Sequence, residues 1–158
     1  MPVDKDTFKR AAGSWVSGLT IVTSAKGDRR HGMTASAFSA VSAEPPQVLV
    51  CCEHGSATRA LIREAGAFTV SLLARGQEAL SELFADKQRS AVRFEGLDCA
   101  TGVTGCPRIP GALAHIDCSV VRTHEAGTHD IYIGLVEAAD LHDQEPLVFY
   151  RGTHRQLE

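Results

Sequence analysis

Strand-like segments follow one another along this chain with too few helices between them, and that ordering removes most fold classes at once. Alternating or β-branched runs occur at residues 19–24 (LTIVTS), 47–52, 67–73 (AFTVSLL), 113–123, 130–138 and in the LVFYR segment after Pro146. Helical spacing occurs in three places. At the start, Asp4 or Asp6 can cap a helix that puts Phe8, Ala12 and Trp15 on one face. In ATRALIREAG, Ala57, Leu61 and Ala65 share a face and Gly66 suits the stop. In residues 76–87, Leu80, Leu83 and Phe84 form the apolar side. A parallel α/β sheet needs a helix after nearly every strand. About six strands with about three helices therefore predict a mainly β protein, an antiparallel barrel closed or nearly closed with helices at its edge. Lys26-Gly27-Asp28 reads as a turn, Pro45-Pro46 as a break in pairing, and Glu125-Ala126-Gly127 as a reversal. Residues 90–110 are glycine-rich and irregular.

A length of 158 residues predicts a single domain over 1–158, large enough to bury an enzyme's core. The net charge is −3 and no Lys/Arg-rich run exists, so no nucleic-acid partner is expected. No apolar run approaches the roughly 18 residues of a membrane span. The opening MPVDKDTFKRAAG lacks the basic and apolar regions of a secretory signal, and a cytoplasmic location is expected. Five cysteines, an odd number with no CxxC pair, argue against a disulfide framework. Cys99 and Cys106 are spaced too widely for a zinc knuckle, so no metal is expected and the thiols read as small buried hydrophobes.

Four segments could carry chemistry. In residues 32–39 (GMTASAFS) nearly every side chain is small and several bear hydroxyls. Such a wall lets a flat, polar-edged ligand reach backbone N–H and C=O groups directly, and it equally suits a closely packed strand. Ser56-Ala57-Thr58 opens a helix, where unpaired N–H groups and the helix dipole favour an anion, with Arg59 and Arg63 nearby. A plain helix cap is the alternative reading. His129 follows the Gly127-Thr128 reversal at a strand entry. Phe149-Tyr150-Arg151-Gly152 sets an aromatic beside a cation that can pair with phosphate, or forms an ordinary last strand. The other histidines show no metal-ligand spacing. The G-x-S-x-G, H-E-x-x-H, P-loop and G-x-G-x-x-G motifs are all missing, so a bound dinucleotide is held in some other way.

Taken in order, FKRAAGSWVSGLTIVT, HGMTASAFSAVSAEPPQVLVCC, GSATRALIREAGAFTVSLL, GTHDIYIGLVEA and PLVFYRG resemble the short-chain flavin reductases of the FMN-binding split-barrel type. That group includes the reductase components of two-component monooxygenases. The resemblance runs from about Phe8 to Arg151 and implies an FMN-binding split β-barrel, antiparallel and homodimeric. It implies transfer of hydride from NADH or NADPH to FMN or FAD, with the reduced flavin passed to a partner monooxygenase. By that resemblance Thr34, Ala35, Ser36 and Ala37 face the isoalloxazine, with Ser39 close by. Cys51, Cys52 and Glu53 line the same site through their backbone. Ser56 and Thr58 hold the flavin phosphate, His129 positions the nicotinamide, and Tyr150 and Arg151 reach both rings. His154 stands where many members carry an aromatic, which leaves its role open. A flavoprotein of the same fold that retains its flavin and reduces a corrin or iron chelate, and a flavin-binding sensor without activity, are the competing expectations.

Overall fold

The computed structural model describes residues 1–158. The chain runs through α1 (Lys5–Gly13), β1 (Ser17–Gly18), β2 (Thr20–Lys26), β3 (Arg29–Ala35), β4 (Phe38–Ala43), β5 (Pro46–Glu53), α2 (Ala57–Ala65), β6 (Ala67–Leu72) and α3 (Glu78–Ala85). A 3-10 segment (Lys87–Val92) follows, then β7 (Ala100–Thr101), β8 (Pro107–Arg108), β9 (Ala114–Ala126), β10 (His129–Leu141), β11 (Val148–Tyr150) and β12 (Thr153–Arg155). Seven strands form one sheet in the order β3-β2-β6-β9-β10-β5-β4, and every adjacent pair is antiparallel. Its edge strands, β3 and β4, are consecutive in the chain and joined by Ser36-Ala37. The Cys51 N–H donates to the Ala37 carbonyl at 3.1 Å, which extends the β4–β5 ladder back into that link. The sheet thus curls into a split antiparallel barrel. No helix is long and apolar enough to cross a membrane.

β2 carries most of the packing because it is buried on both sides, from Thr20 to Ser24 without a break. Val22 faces the barrel interior with Val48, Val50, Phe68, Val70 and Tyr132. Ile21 faces outward into a second cluster with Leu19, Leu73, Phe84, Ile109 and Leu147, beneath α3 and the glycine-rich segment. α2 adds Ile62 to the interior cluster. Full burial of such side chains stabilises by about 1.5–3 kcal/mol each before entropy is counted. Gly134 is required where β10 crosses the interior, since a Cβ there would meet Phe68 Cζ at 2.6 Å and Cys118 Cβ at 2.7 Å.

A buried carboxylate fastens the glycine-rich segment to the barrel. Asp117 is fully buried and accepts from Thr69 Oγ1 at 2.7 Å, the Val103 N–H at 3.0 Å and Arg108 Nη2 at 2.5 Å. A side chain at Gly102 would collide with this carboxylate.

Three sequence expectations change. α1 buries no residue: Phe8 is exposed, and the helix ends before Trp15, which is 81% exposed. The small-residue run is two strands, β3 and β4, because Ser36-Ala37 turns the chain across the seam. The buried side of α2 is Thr58, Leu61 and Ile62 rather than Ala57, Leu61 and Ala65.

Candidate functional site

The seam opens into a cavity of about 500 Å3. Its floor is the end of β3 and the link that follows, Met33 to Ala37. Cys51 and Glu53 of β5 form one wall, and the turn into α2 contributes Gly55, Ser56 and Ala57. Phe84 and Ala85 close it from α3, Lys87, Ser90 and Arg93 from the segment beyond, and His129 stands at the start of β10. The link matters most. Thr20 Oγ1 donates to the Ala35 carbonyl at 2.7 Å, and the Ser36 and Ala37 carbonyls accept from Phe38 and Cys51. The N–H groups of Ser36 and Ala37 have no partner within the chain, and both residues are exposed. Two free backbone donors beside small side chains can meet the polar edge of a flat ligand.

The anion end is built differently from the sequence expectation. Ser56 caps α2, its Oγ accepting the Arg59 N–H at 3.3 Å, and it lines the cavity. Thr58 is fully buried, and its hydroxyl lies 2.6 Å from His31 Nδ1. The other ring nitrogen of His31 lies 2.9 Å from Ser90 Oγ. Burial, followed by the charge of Arg93, lowers the pKa of His31 and keeps the ring neutral. A neutral imidazole donates through one nitrogen and accepts through the other, so it ties α2 to the 3-10 segment. Arg59 is also committed, with Nε 2.6 Å from Asp130, which accepts His54 Nε2 at 3.1 Å as well. The hydrogen bond from Arg59 leads the effects that hold the Asp130 carboxyl below the ordinary carboxylate range.

Arg93 was missed in the sequence. Only 6% of it is exposed, Nη1 and Nη2 donate to the carbonyls of Gly32 and Asp86, and Nε has no partner. Burial lowers its pKa. The residue lines the cavity, but its unpartnered Nε is itself buried, so Arg93 lends positive charge to the wall and no free donor. Lys87, Ser90 and His31 were missed too. Lys87 read as the end of the third helical stretch, Ser90 as the start of the irregular one and His31 as one of several unassigned histidines, so nothing in the sequence set them apart.

The structure therefore gathers Thr34, Ala35, Ser36, Ala37, Cys51, Glu53, Ser56 and His129 around one cavity, and five expected residues stand outside it. Ser39 is exposed on β4 and bonds the Ala40 carbonyl. Cys52 points into the barrel interior, where burial pushes its thiol up to about 12. Thr58 is spent on His31. Tyr150 and Arg151 belong to the β11–β12 hairpin beside α1, where the Arg151 N–H donates to the Gly13 carbonyl and its guanidinium lies 5.1 Å over the Tyr150 ring. Arg151 has φ of 49°, a strained value for a residue with a side chain. His154 acts indirectly: its Nε2 lies 2.8 Å from Ser81 Oγ, and the Ser81 carbonyl accepts from Thr34 Oγ1 at 2.6 Å. The histidine thereby steadies α3 against the cavity floor. Away from the cavity, His115 and His142 meet around Asp140, a grouping their sequence spacing does not show, and Arg108 reaches the same carboxylate.

Comparison with known proteins fits this geometry. The model of the flavin reductase like domain matches residues 12–158. An NADH-dependent flavin reductase from a Rhodococcus species is 42% identical over 156 residues, covering 96% of this chain and 85% of that protein. The reductase component of 4-hydroxyphenylacetate 3-monooxygenase from Thermus thermophilus is 38% identical, covering 97% of both chains. Among solved structures, the NADH:FAD oxidoreductase SgcE6 of Streptomyces globisporus superposes with a TM-score of 0.93 at 34% identity, covering 100% of this chain and 96% of that one.

Proposed function

The chain belongs to the flavin reductase-like family, and from that membership we propose that it is the reductase component of a two-component monooxygenase. It takes hydride from NADH or NADPH to FMN or FAD and supplies the reduced flavin to a separate oxygenase. The observation that carries this reading is the pair of free N–H groups on Ser36 and Ala37, set in a small-residue wall with His129 at its end. We read residues 1–158 as one such unit and the working form as a homodimer.

A bound flavin supplies the electron sink for hydride leaving nicotinamide C4. The Ser36 and Ala37 N–H groups are placed to stabilise negative charge on a ring edge at no reorganisation cost. Ala35, Ser36 and Ala37 leave room for close approach. Ser56, Lys87 and Arg93 provide one hydroxyl and two cations for a phosphate. His129 is exposed, and its Nδ1 lies 2.9 Å from Thr128 Oγ1, so its other nitrogen is free to meet the second substrate. None of these groups has to exchange a proton with the ring carbons. The protein's work is to align two flat rings at near-attack distance.

Steady-state NADH and NADPH oxidation with added flavin tests the proposal. Saturation in added FMN or FAD is the expected result. Turnover on a retained flavin with no response to added flavin points instead to a tight flavoprotein, and no oxidation points to a sensor.

A further inference from the structure

Away from the cavity, the pairing of β9 with β10 brings three metal-ligating side chains together. Asp140 stands directly opposite His115 in the register, and Leu141 opposite Ala114. Cross-strand partners share a face of the sheet, and so do residues two apart on a strand, so His142 joins the pair. The His142 N–H donates to the Leu113 carbonyl at 2.8 Å and keeps the chain in line just past the end of β10. His115 Nδ1 lies 2.8 Å from Asp140 Oδ1, and His142 Nε2 lies 3.5 Å from Asp140 Oδ2. One nitrogen from each ring and one carboxylate oxygen all fall within 4.8 Å of one another. Twenty-five positions separate His115 from Asp140, so sequence spacing predicts no metal and only the strand register shows the grouping.

We propose that His115, Asp140 and His142 bind one divalent transition-metal ion, with zinc the best match to two imidazoles and a carboxylate.

The hydrogen bonding of His115 carries this assignment. Its Nε2 lies 2.7 Å from the Ile109 carbonyl, which can only accept, so the ring's proton sits there. Nδ1 then aims a lone pair at a carboxylate oxygen, which is also an acceptor. A neutral imidazole cannot satisfy both contacts, so a cation belongs between Nδ1 and Asp140, either a second proton or a metal ion. His142 favours the metal. A proton needs only His115 and Asp140, whereas a third donor atom beside the same carboxylate completes a metal's ligand set. Two ligands of one tetrahedral zinc stand about 3.3 Å apart, so the 2.8 Å and 3.5 Å contacts need shift by only about half an ångström.

The outer contacts suit a ligand set held in place. A metal-binding histidine commonly donates its far N–H to a carbonyl, as His115 does to Ile109. Asp140 Oδ1 accepts the His115 backbone N–H at 2.9 Å, and Oδ2 faces Arg108 Nη1 at 3.3 Å. Arg108 is answered by Asp117, which leaves the charge of Asp140 for the ion. His142 is the exposed member, and its side gives the ion access and room for a water as fourth ligand. Such an ion clamps the start of β9 to the end of β10. None of the three ligands lines the cavity at the seam, so hydride transfer does not depend on it.

Equilibrium dialysis of the tag-free, reduced protein against Zn2+ tests the site, with Co2+ as a spectroscopic probe. One ion should bind per chain. Loss of an outer contact weakens a metal site by roughly 10–100-fold, so loss of a ligand in His142→Ala should cost at least about tenfold. His142→Gln, which keeps a long polar side chain, should lose the ion in the same way. Zn2+ should raise the Tm of the parent and not of either variant, while the metal-free Tm and the rate of NADH oxidation with added flavin match the parent's. His124→Ala, a change at an exposed histidine elsewhere on β9, should keep both binding and the Tm rise. Bound Co2+ should show ligand-field bands without sulfur-to-metal charge transfer. A parent that binds no stoichiometric ion overturns the proposal and leaves a second proton between His115 and Asp140. Undiminished binding in the His142 variants overturns it also, as does thiolate charge transfer in the cobalt spectrum, which would move the ion to the cysteines.

Discussion

Ser56 and Thr58 stand two positions apart at one helix start, yet only one of them can hold a ligand. Their spacing predicts a pair of phosphate donors, but a helix turns about 200° over two residues, so the second hydroxyl points away from the first. Thr58 turns inward and meets His31. Ser56→Ala should therefore lower FMN affinity by about tenfold, since a hydrogen bond to a charged group contributes about 1.5–3 kcal/mol, while riboflavin affinity stays near the parent value. Thr58→Val should weaken FMN and riboflavin together and lower the melting temperature, because it unties His31 from α2. Parallel titrations of both flavins separate the two residues, and an equal loss for both flavins in Ser56→Ala would return that serine to simple capping. His129 carries a second prediction at this scale. His129→Ala should raise the KM for NADH with turnover at saturation, flavin affinity and melting temperature little changed, as expected when a contact is equally strong in ground and transition states. Early melting with poor binding of both ligands would make it structural. Only the family resemblance chose a ligand wall over a closely packed strand for residues 34–37, though as small side chains that permit close approach they were legible. Arg93 was not, since its importance lies in burial and in a missing partner, neither of which leaves a pattern in sequence.

At the scale of elements, strands that alternate or branch at Cβ were readable, and so were helices with a cap and a stop. The α2 boundaries follow from Ser56 at the cap and Gly66 at φ of 69°. β2 was readable because residues buried on both faces make a continuous apolar or β-branched run. The two-residue β1 was not, because its partner is the distant β11, with Phe149 opposite Ser17, and neither were β7 and β8, which pair with each other over too few residues to show alternation. The glycine-rich stretch that read as irregular is held by single anchors instead of by periodicity: the Arg108 and Val103 bonds to Asp117, the Ile109 N–H to Ser71 Oγ, and the burial of Ile109. Asp117 sits at the centre of that arrangement. Burial works to raise its carboxyl pKa, but the hydrogen bonds from Arg108, Thr69 and the Val103 N–H outweigh it and hold the group below the ordinary carboxylate value. A carboxyl with a depressed folded-state pKa stabilises fully above the unfolded value near 3.9, and that contribution is lost as pH falls through the folded-state value. Melting temperature should thus fall steeply below about pH 4, and Asp117→Asn should flatten that part of the profile. The variant should also be less stable at neutral pH, by about 1–3 kcal/mol, because it weakens the buried bond to Arg108, which keeps Asp140 as its remaining carboxylate. A variant whose acid profile superposes on the parent's would remove Asp117 from this role.

On the scale of the whole molecule, the distribution of exposed apolar surface argues for a second copy of the chain. Phe8, Trp15 and Val16 fall within one N-terminal stretch and are 61%, 81% and 55% exposed. α1, which has no buried residue of its own, gains little by folding against this protomer alone. Val41 on β4, the edge strand beside the cavity seam, is 44% exposed as well. Scattered exposed hydrophobics are ordinary, but a helix with no buried side and an indole left in water call for a covering surface. A stable interface removes about 1,200–2,000 Å2 from solvent, more than these few side chains supply, so a second copy would also have to cover backbone and polar surface, for which the open seam is at hand. A second copy seated there would shield the flavin-facing link from water and complete the site. Sedimentation equilibrium at micromolar concentration should then give twice the chain mass of 16.9 kDa. If a second copy covers both Trp15 and the seam, Trp15→Ser should shift the protein toward monomer and lower flavin affinity with it. A parent protein that sediments at the single-chain mass, with flavin affinity independent of protein concentration, would show that each protomer builds its site alone.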